Sequence, residues 1–356
     1  MRHALSLLVV PFVALAALAG CSSDDDADDA QASQLSAAQR AELDAQIAEL
    51  KEKVRQLELR IAADEGFKQA LERELDKAKA ALKAAEDKLA AEDYAGAVAE
   101  LAAATKALAD LQAAWDALPG SVTLEAKFAF GAADLQLDTP YELSTGKTFT
   151  FSEVRYWLSN VKLTVAGGAT FTVPNAYYLV EVMQQQNLSN GATGTHTLPA
   201  NRRESVVIGG VPSGSYTGVE FAVGVDPVRN DNLALGGGEL HVLKNMTSDN
   251  GWMWFTSYIF SKVRGSYAQG DDEPIAVAWE TGANENYRVI SKTFSAPVKV
   301  GAGVDTKVSL RADVKKLFTD LDAEATPTIK AAQAAERTTL ANNWANAFEL
   351  VGATGQ

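Results

Sequence analysis

The chain is poor in the residues that most often cross-link proteins or bind metals. Its 356 residues include one cysteine and three histidines. A single cysteine, Cys21, excludes a framework of internal disulfides. Basic residues are also scarce, since 32 Lys and Arg face 46 Asp and Glu and give a net charge of −14 at pH 7. An acidic surface repels phosphate backbones, so we expect no binding to nucleic acid.

Sequence signatures of catalysis are missing as well. The chain has no Gly-x-Ser-x-Gly turn, which presents the nucleophile of α/β-hydrolases. The glycine-rich loop DNLALGGGEL (231–240) is acidic and lacks the lysine of phosphate-binding loops. The acidic residues of VDPVRND and GDDEP stand in turn-like stretches. We therefore expect a protein without enzymatic activity.

The N-terminus has the pattern of a secretory signal. A short basic start leads into an apolar run at residues 4–19, which ends in Leu-Ala-Gly-Cys at Cys21. This predicts a signal peptide over residues 1–20 rather than a membrane-spanning helix. The ending resembles the bacterial lipobox, which implies cleavage before Cys21 and acylation of its thiol. Ser22 after the cysteine fits outer-membrane sorting, so we expect an outer-membrane lipoprotein facing the periplasm or the cell surface.

Two regions precede the body of the protein. Residues 21–33 are acidic and poor in apolar side chains, which predicts a solvated tether. Residues 34–118 carry apolar side chains at steps of three and four, which is typical of helices packed along a seam. We expect an α-helical coiled coil or helical hairpin that ends at Pro119-Gly120, with a turn near Glu92. A stalk and a helix-mediated contact, including self-association, both remain open as its role.

The periodicity changes from residue 121 onward. Stretches such as KTFTFSEVRYWLSNVKLTV alternate apolar and polar residues, and turn residues punctuate them at short intervals. This pattern predicts a mainly β fold, with an antiparallel β-sandwich or barrel-like domain over 121–351. Near the end, residues 313–318 and 326–344 have helical spacing, and 347–351 has the pattern of a closing strand.

A family resemblance lies in five stretches of this β region. They are FAFGAADLQL (128–137), VRYWLSNVKL (154–163), VPSGSYTGVEFAVGVD (211–226), WMWFTSYIFSKVRG (252–265) and RADVKKLF (311–318). In this order they resemble the MbnP-like (MbnP/MopE) family of bacterial periplasmic or surface-exposed proteins associated with copper. The resemblance covers about two thirds of the chain and leaves the N-terminal helices outside it.

The resemblance implies a mononuclear copper site with histidine ligands. It also implies a tryptophan that a partner diheme peroxidase oxidises to kynurenine, and Trp252 and Trp254 stand where the family places that residue. This chain departs from the family at both usual histidines. The first strand has no histidine beside Phe128, and Glu280 occupies the place of the later one.

A rebuilt site would have to use the few donors that remain. Imidazole binds copper well, and thioether sulfur suits Cu(I). His241 lies eleven residues before Trp252, so a set of His241, Glu280 and Met253, or Met246 in place of Met253, is chemically reasonable. His196 lies in a turn-rich loop and is not expected to be a ligand.

Each candidate also has a structural interpretation. Trp252 and Trp254 on one strand face fill a sandwich core in many proteins, and Glu280 suits a solvated or ion-paired strand position. Asp226 and Asn230 are second-shell candidates, although Asp and Asn are common in turns. Two functions remain open: non-enzymatic binding of copper, and a metal-free structural or adhesion module on a helical stalk.

Overall fold

The structure is a computed structural model that describes residues 37–62, 68–189, 195–232, 235–240, 246 and 257–355. Compact packing divides the chain into two units between Leu118 and Pro119. Within the described residues lie five α-helices and seventeen β-strands. No helix in this part of the chain is long and apolar enough to cross a membrane.

Three helices form the first unit: α1 (Ala37–Ala62), α2 (Lys68–Ala90) and α3 (Tyr94–Asp116). The predicted turn near Glu92 is present, because Glu92 has a φ of 61° and the Asp93 carboxylate accepts from the Gly96 amide at 2.9 Å. A buried apolar seam joins the helices: Leu43, Ile47, Ala85, Leu89, Ala97 and Leu101. The helices therefore pack on one another within one chain, as a helical hairpin would, and the described residues do not show a coiled coil.

The second unit is built of strands with two further helices, α4 (Pro227–Asn230) and α5 (Ala334–Ala347). Its strands are β1 (Gly120–Phe130), β2 (Ala133–Asp134), β3 (Pro140–Ser144), β4 (Lys147–Val165), β5 (Thr170–Thr172), β6 (Tyr177–Met183), β7 (Gln186–Ser189), β8 (Thr195–Leu198), β9 (Asn201–Arg203), β10 (Ser205–Val211), β11 (Gly214–Val223), β12 (Ile259–Gln269), β13 (Ile275–Gly282), β14 (Arg288–Val300), β15 (Asp305–Asp313), β16 (Thr328–Ile329) and β17 (Phe348–Gly355).

Two sheets make a sandwich, which confirms the predicted fold class. The smaller sheet has the order β10-β1-β15-β17, and the larger has the order β14-β11-β4-β12-β13-β16, with β3, β5 and β6 also paired to β4. Most neighbours are antiparallel, as predicted, but β1 pairs with β15 and β13 pairs with β16 in parallel. Those parallel pairs join segments far apart in sequence, so no local turn signal reveals them.

Strand β4 organises the larger sheet. Tyr156 and Leu158 face the main core between the sheets, where Phe128, Phe221 and Trp344 also lie. Side chains alternate along a strand, so the odd-numbered residues between 153 and 159 point to the opposite face of the sheet. Every residue from 153 to 159 is nevertheless buried. The larger sheet is therefore covered on both faces at this point, which is unusual for a strand whose sequence alternates charged and apolar residues.

The C-terminal part differs from its prediction in one respect. The predicted helix over 326–344 begins only at Ala334, because Thr328 and Ile329 pair with Ala278 and Trp279 as a strand. A short 3₁₀ helix forms at Val314–Phe318, where helical spacing was expected. The closing strand is present as β17, which runs to Gly355 beside β15.

Candidate functional site

A second apolar cluster covers the face of the larger sheet that points away from the main core. We call it the outer cluster. Trp157 belongs to it, whereas its chain neighbours Tyr156 and Leu158 belong to the main core, so the two clusters lie on opposite faces. Its buried members are Trp157, Tyr177, Leu179, Val225, Leu240, Met246, Tyr258, Ile259 and Phe260.

The outer cluster includes three described residues that flank or interrupt the predicted ligand segment. His241, Met253, Trp252 and Trp254 themselves lie outside the described residues, as does Cys21. Three described residues lie at the ends of that segment or within it. Leu240 directly precedes His241, Met246 follows five residues later, and Tyr258 comes after the tryptophans; all three are buried in the outer cluster. These three residues are thus anchored on this face.

Six charged side chains form a ladder beside the outer cluster. We call Glu153, Arg155, Glu181, Lys262, Arg264 and Glu280 the charge ladder. The register places Glu181, Arg155, Lys262 and Glu280 opposite one another in a row across β6, β4, β12 and β13. Glu153, Lys262 and Glu280 are at most 1% exposed. Three positive and three negative charges balance, which meets the requirement that buried charges be paired.

The contacts within the ladder centre on Glu153 and Arg155. Arg155 holds Glu181 through Nε at 2.8 Å and Nη2 at 2.7 Å, and it reaches Glu153 Oε1 through Nη1 at 3.2 Å. The other Glu153 oxygen lies 3.4 Å from Arg264 Nε and 3.8 Å from Lys262 Nζ. One buried carboxylate therefore faces three cations, two of which also have Glu181 or Glu280 as a cross-strand neighbour.

Burial and charge act in opposite directions on the two central groups. Burial alone would raise the pKa of the Glu153 carboxyl, but Lys262, Arg155 and Arg264 together hold that pKa below its ordinary value of 4.5. Burial lowers the pKa of the Lys262 amine, and Glu153 and Glu280 oppose that effect. The ladder is therefore most stable with the Glu153 carboxylate ionised.

This pKa shift predicts how stability depends on pH. A carboxyl whose pKa is lower in the folded than in the unfolded protein stabilises the fold above pH 4.5, and this contribution is lost as pH falls through the folded pKa. We expect the urea midpoint of the wild-type protein to fall between about pH 5 and pH 3, and the fall to be smaller in Glu153→Gln. Identical pH profiles for the two proteins would contradict this assignment.

Glu280, one of the predicted ligands, lies inside the ladder. Its carboxylate is fully buried on β13, and its cross-strand neighbour is Lys262. Within the described ranges, no group of three or more His, Cys, Asp and Glu side chains is arranged to hold a metal ion. Of the predicted ligands His241, Glu280 and Met253, only Glu280 lies within the described residues.

Asp226, a predicted second-shell residue, joins a polar network at one end of the outer cluster. Its Oδ2 accepts from the Tyr177 hydroxyl, and from Asn160 Nδ2 at 3.3 Å. Asn160 Nδ2 also donates to the Tyr287 hydroxyl at 2.7 Å, and Arg229 lies 4.8 Å above the ring of Tyr177. Burial and the Asp226 carboxylate raise the pKa of Tyr177, which keeps its phenol a hydrogen-bond donor.

Asn230, the other second-shell candidate, bonds across the fold. It is 1% exposed, and its Oδ1 accepts from the Tyr258 amide at 2.8 Å. Its Nδ2 donates to Asn284 Oδ1 at 2.8 Å, and Asn284 in turn donates to Asp231 at 2.8 Å. Asn230 ends the one-turn helix α4, where its amide donates to the Asp226 carbonyl, and its side chain also fixes the main chain just before β12.

The sequence analysis did not identify the residues that pair with Glu153, Glu280 and Asp226 on the outer face of the larger sheet. Arg155, Lys262 and Tyr177 were not singled out, because charged residues that alternate with apolar ones are typical of a strand with one face in water. The one available signal was in VRYWLSN, where an arginine stands between large apolar residues that a core would need.

Comparison with known proteins identifies the family. No curated protein matches the chain. Among solved structures, MbnP from Methylosinus trichosporium is similar, with 15% identity and a TM-score of 0.31, and the match covers 56% of this chain and 77% of that one. The family model MbnP matches residues 119–333, which is more than half of the chain. The chain therefore belongs to the MbnP family.

Proposed function

We propose that the β unit binds copper beside the outer cluster, without catalysing a reaction, and that His241 supplies the imidazole ligand. The observation that carries this proposal is the burial of Leu240 and Met246, which bracket His241 in the sequence, within the outer cluster. Their burial anchors the chain on both sides of the histidine against a water-poor, aromatic face.

The remaining donors follow from the chemistry of copper. A thioether sulfur suits Cu(I), so Met246, or Met253 in the same segment, complements the imidazole. Glu280 was the predicted carboxylate ligand. The proposal leaves it in the charge ladder, because removing a carboxylate from a balanced buried network would leave a cation uncompensated.

A copper titration of the full chain against a competing chelator tests the proposal. We expect stoichiometric binding that weakens by more than about 100-fold in His241→Ala, since a lost ligand costs at least as much as a lost outer-shell partner. His196→Ala is the matched control, because His196 lies on β8 in a separate two-stranded hairpin. Equal losses in both variants, or no binding by the wild-type protein, would reject the proposal.

A metal-free structural or adhesion module is the second candidate function. The charge ladder favours it, because Lys262 already places a cation opposite Glu280, where the family has a metal ligand. In this alternative the helical unit acts as a stalk and the outer cluster is packing alone. A wild-type protein that binds no more copper than its His241→Ala variant supports this candidate.

We infer that the protein is held at the outer membrane by acylation of Cys21. The Leu-Ala-Gly-Cys motif, with Ser22 and an acidic stretch after it, supports this anchor. Cys21→Ser is expected to abolish labelling by an alkynyl fatty acid and to move the protein from the membrane fraction to the soluble fraction. Retention of the variant in membranes would argue against the anchor.

The inferred partner is a diheme peroxidase that oxidises Trp252 or Trp254. The support is the family relationship and the placement of both residues in one segment next to Tyr258. Peptide mapping of protein from its native envelope should show a tryptophan converted to kynurenine in this segment. Trp252→Phe and Trp254→Phe, tested separately, identify which residue is modified, and unmodified tryptophans in native protein would exclude the conversion.

A further inference from the structure

The β unit contains a cleft lined by residues near the start of β4 and by the 3₁₀ helix Val314–Phe318. Its volume is about 450 Å³, within the range of small-molecule sites. The start of β4, the end of β12 and the 3₁₀ helix Val314–Phe318 with the loop that follows it surround the cleft. None of its lining residues belongs to the outer cluster or the charge ladder.

Part of the cleft lining is apolar and packed against the core. Phe318 lines it and is held from behind by edge-on contact with Phe149, at 4.9 Å between ring centroids, and by Trp279 at 5.0 Å. Leu143 and Leu321 are half-buried beside it. A preformed apolar wall of this kind favours a ligand with a short alkyl or ring group.

Cationic side chains also line the cleft. Lys147 and Lys315 both line it. Lys147 Nζ lies 3.7 Å from both Asp322 Oδ2 and Glu324 Oε2, which is longer than a direct hydrogen bond. Lys315 Nζ lies 5.6 Å above the ring of Phe130. Lys147 is thus shared between the Tyr267 hydroxyl and two carboxylates, which raise its pKa and keep it charged. Within the described residues, Lys315 has no carboxylate oxygen within 4.0 Å of its ammonium.

The carboxylates that line the cleft are already engaged with the main chain. Asp313 Oδ1 accepts from the Gly131 amide at 2.8 Å and from the Lys315 amide at 3.1 Å. Asp322 Oδ1 accepts from the Glu324 amide at 2.9 Å. Backbone N–H groups partly neutralise these charges, which weakens their competition with a ligand carboxylate for Lys147 and Lys315.

We propose that this cleft binds a small amphiphilic carboxylate. The ligand's apolar group packs against Phe318 and Leu321, and its carboxylate accepts charge-assisted hydrogen bonds from Lys147 and Lys315. A site for an anion is a local exception in a protein with a net charge of −14, so binding depends on these two lysines rather than on the overall field of the protein. The proposal is independent of copper binding.

Calorimetry with three probes of equal chain length tests this site on the full protein. We expect saturable binding of octanoate, with octanamide about tenfold weaker and octylammonium weaker still, because only the carboxylate pairs with both lysines. Acetate should not bind, since it lacks the apolar group. Hydrogen exchange should show octanoate protecting residues 315–323.

Two double variants test whether Lys147 and Lys315 are the residues that bind the carboxylate. Lys147→Gln with Lys315→Gln should weaken octanoate binding about tenfold while leaving octanamide binding unchanged. Lys292→Gln with Lys299→Gln is the matched control, because both lysines lie on β14 and do not line the cleft. Affinity that is independent of the head group, equal losses in the two double variants, or no saturable binding of octanoate would each overturn the proposal.

Discussion

Replacing Glu153 by glutamine is expected to lower the free energy of unfolding of the β unit by about 3–5 kcal/mol, because removing one partner of a buried ion pair leaves uncompensated charge. Glu153 is fully buried, and its two oxygens face Arg155, Arg264 and Lys262. A glutamine of nearly the same size keeps the packing and removes the negative charge. The expected loss is therefore electrostatic rather than steric.

Urea unfolding followed by near-UV circular dichroism measures this loss. Five of the six tryptophans lie in the β unit, so the signal reports mainly on it. Glu220→Gln is the matched control, because Glu220 pairs with Lys162 at 2.7 Å near the surface and should cost less than about 1 kcal/mol. Adding Lys262→Met to Glu153→Gln should recover part of the loss. A similar cost for both glutamines would refute the role assigned to the ladder.

Replacing Gly224 by alanine is expected to lower the free energy of unfolding by about 3 kcal/mol, because backbone strain and overpacking act together. Gly224 has a φ of +119°, a conformation that L side chains rarely adopt. A Cβ atom there would also lie 2.6 Å from Cδ2 of the Phe260 ring. Phe260 belongs to the outer cluster, so relief of this overlap must displace the face that carries the proposed copper site.

Gly210→Ala separates the two causes. Gly210 has a φ of +69°, but a Cβ atom there would meet nothing within 4 Å. It should therefore cost only the strain of the left-handed backbone, about 1 kcal/mol. If the two alanine variants lose equal stability, the ring of Phe260 is not tightly packed against Gly224. Copper affinity should fall in Gly224→Ala and stay constant in Gly210→Ala if the proposed site depends on the outer cluster.

Local pattern was enough to predict the architecture of most elements. The seam residues Leu43 and Leu101 lie on buried helix faces, and β1, β4 and β11 appear where alternation indicated strands. The turn at Glu92 and the closing strand β17 are also present. These predictions are confirmed because side-chain periodicity and turn chemistry depend only on residues close together in the sequence.

The candidate site was predictable only in part. The resemblance of five stretches led to the MbnP family, and Asp226 and Asn230 were selected from one of them and the residues just after it. Their partners, Tyr177, Tyr258 and Asn284, lie 28 to 54 residues away in the chain. No spacing rule brings such residues together, because strand order and register decide those contacts.

By itself, the sequence determined the helical unit, the β unit, the family and the scarcity of metal ligands. Only the tertiary structure decided that the second face of the larger sheet is buried. Glu153 and Glu280 have the alternation of solvent-facing strand residues, yet both are fully enclosed. The physical reason is that the residue pattern of a strand indicates only which side chains share a face. Whether that face is buried depends on which other parts of the chain pack against it. Charge pairing across four strands offsets the cost of burying these charged side chains.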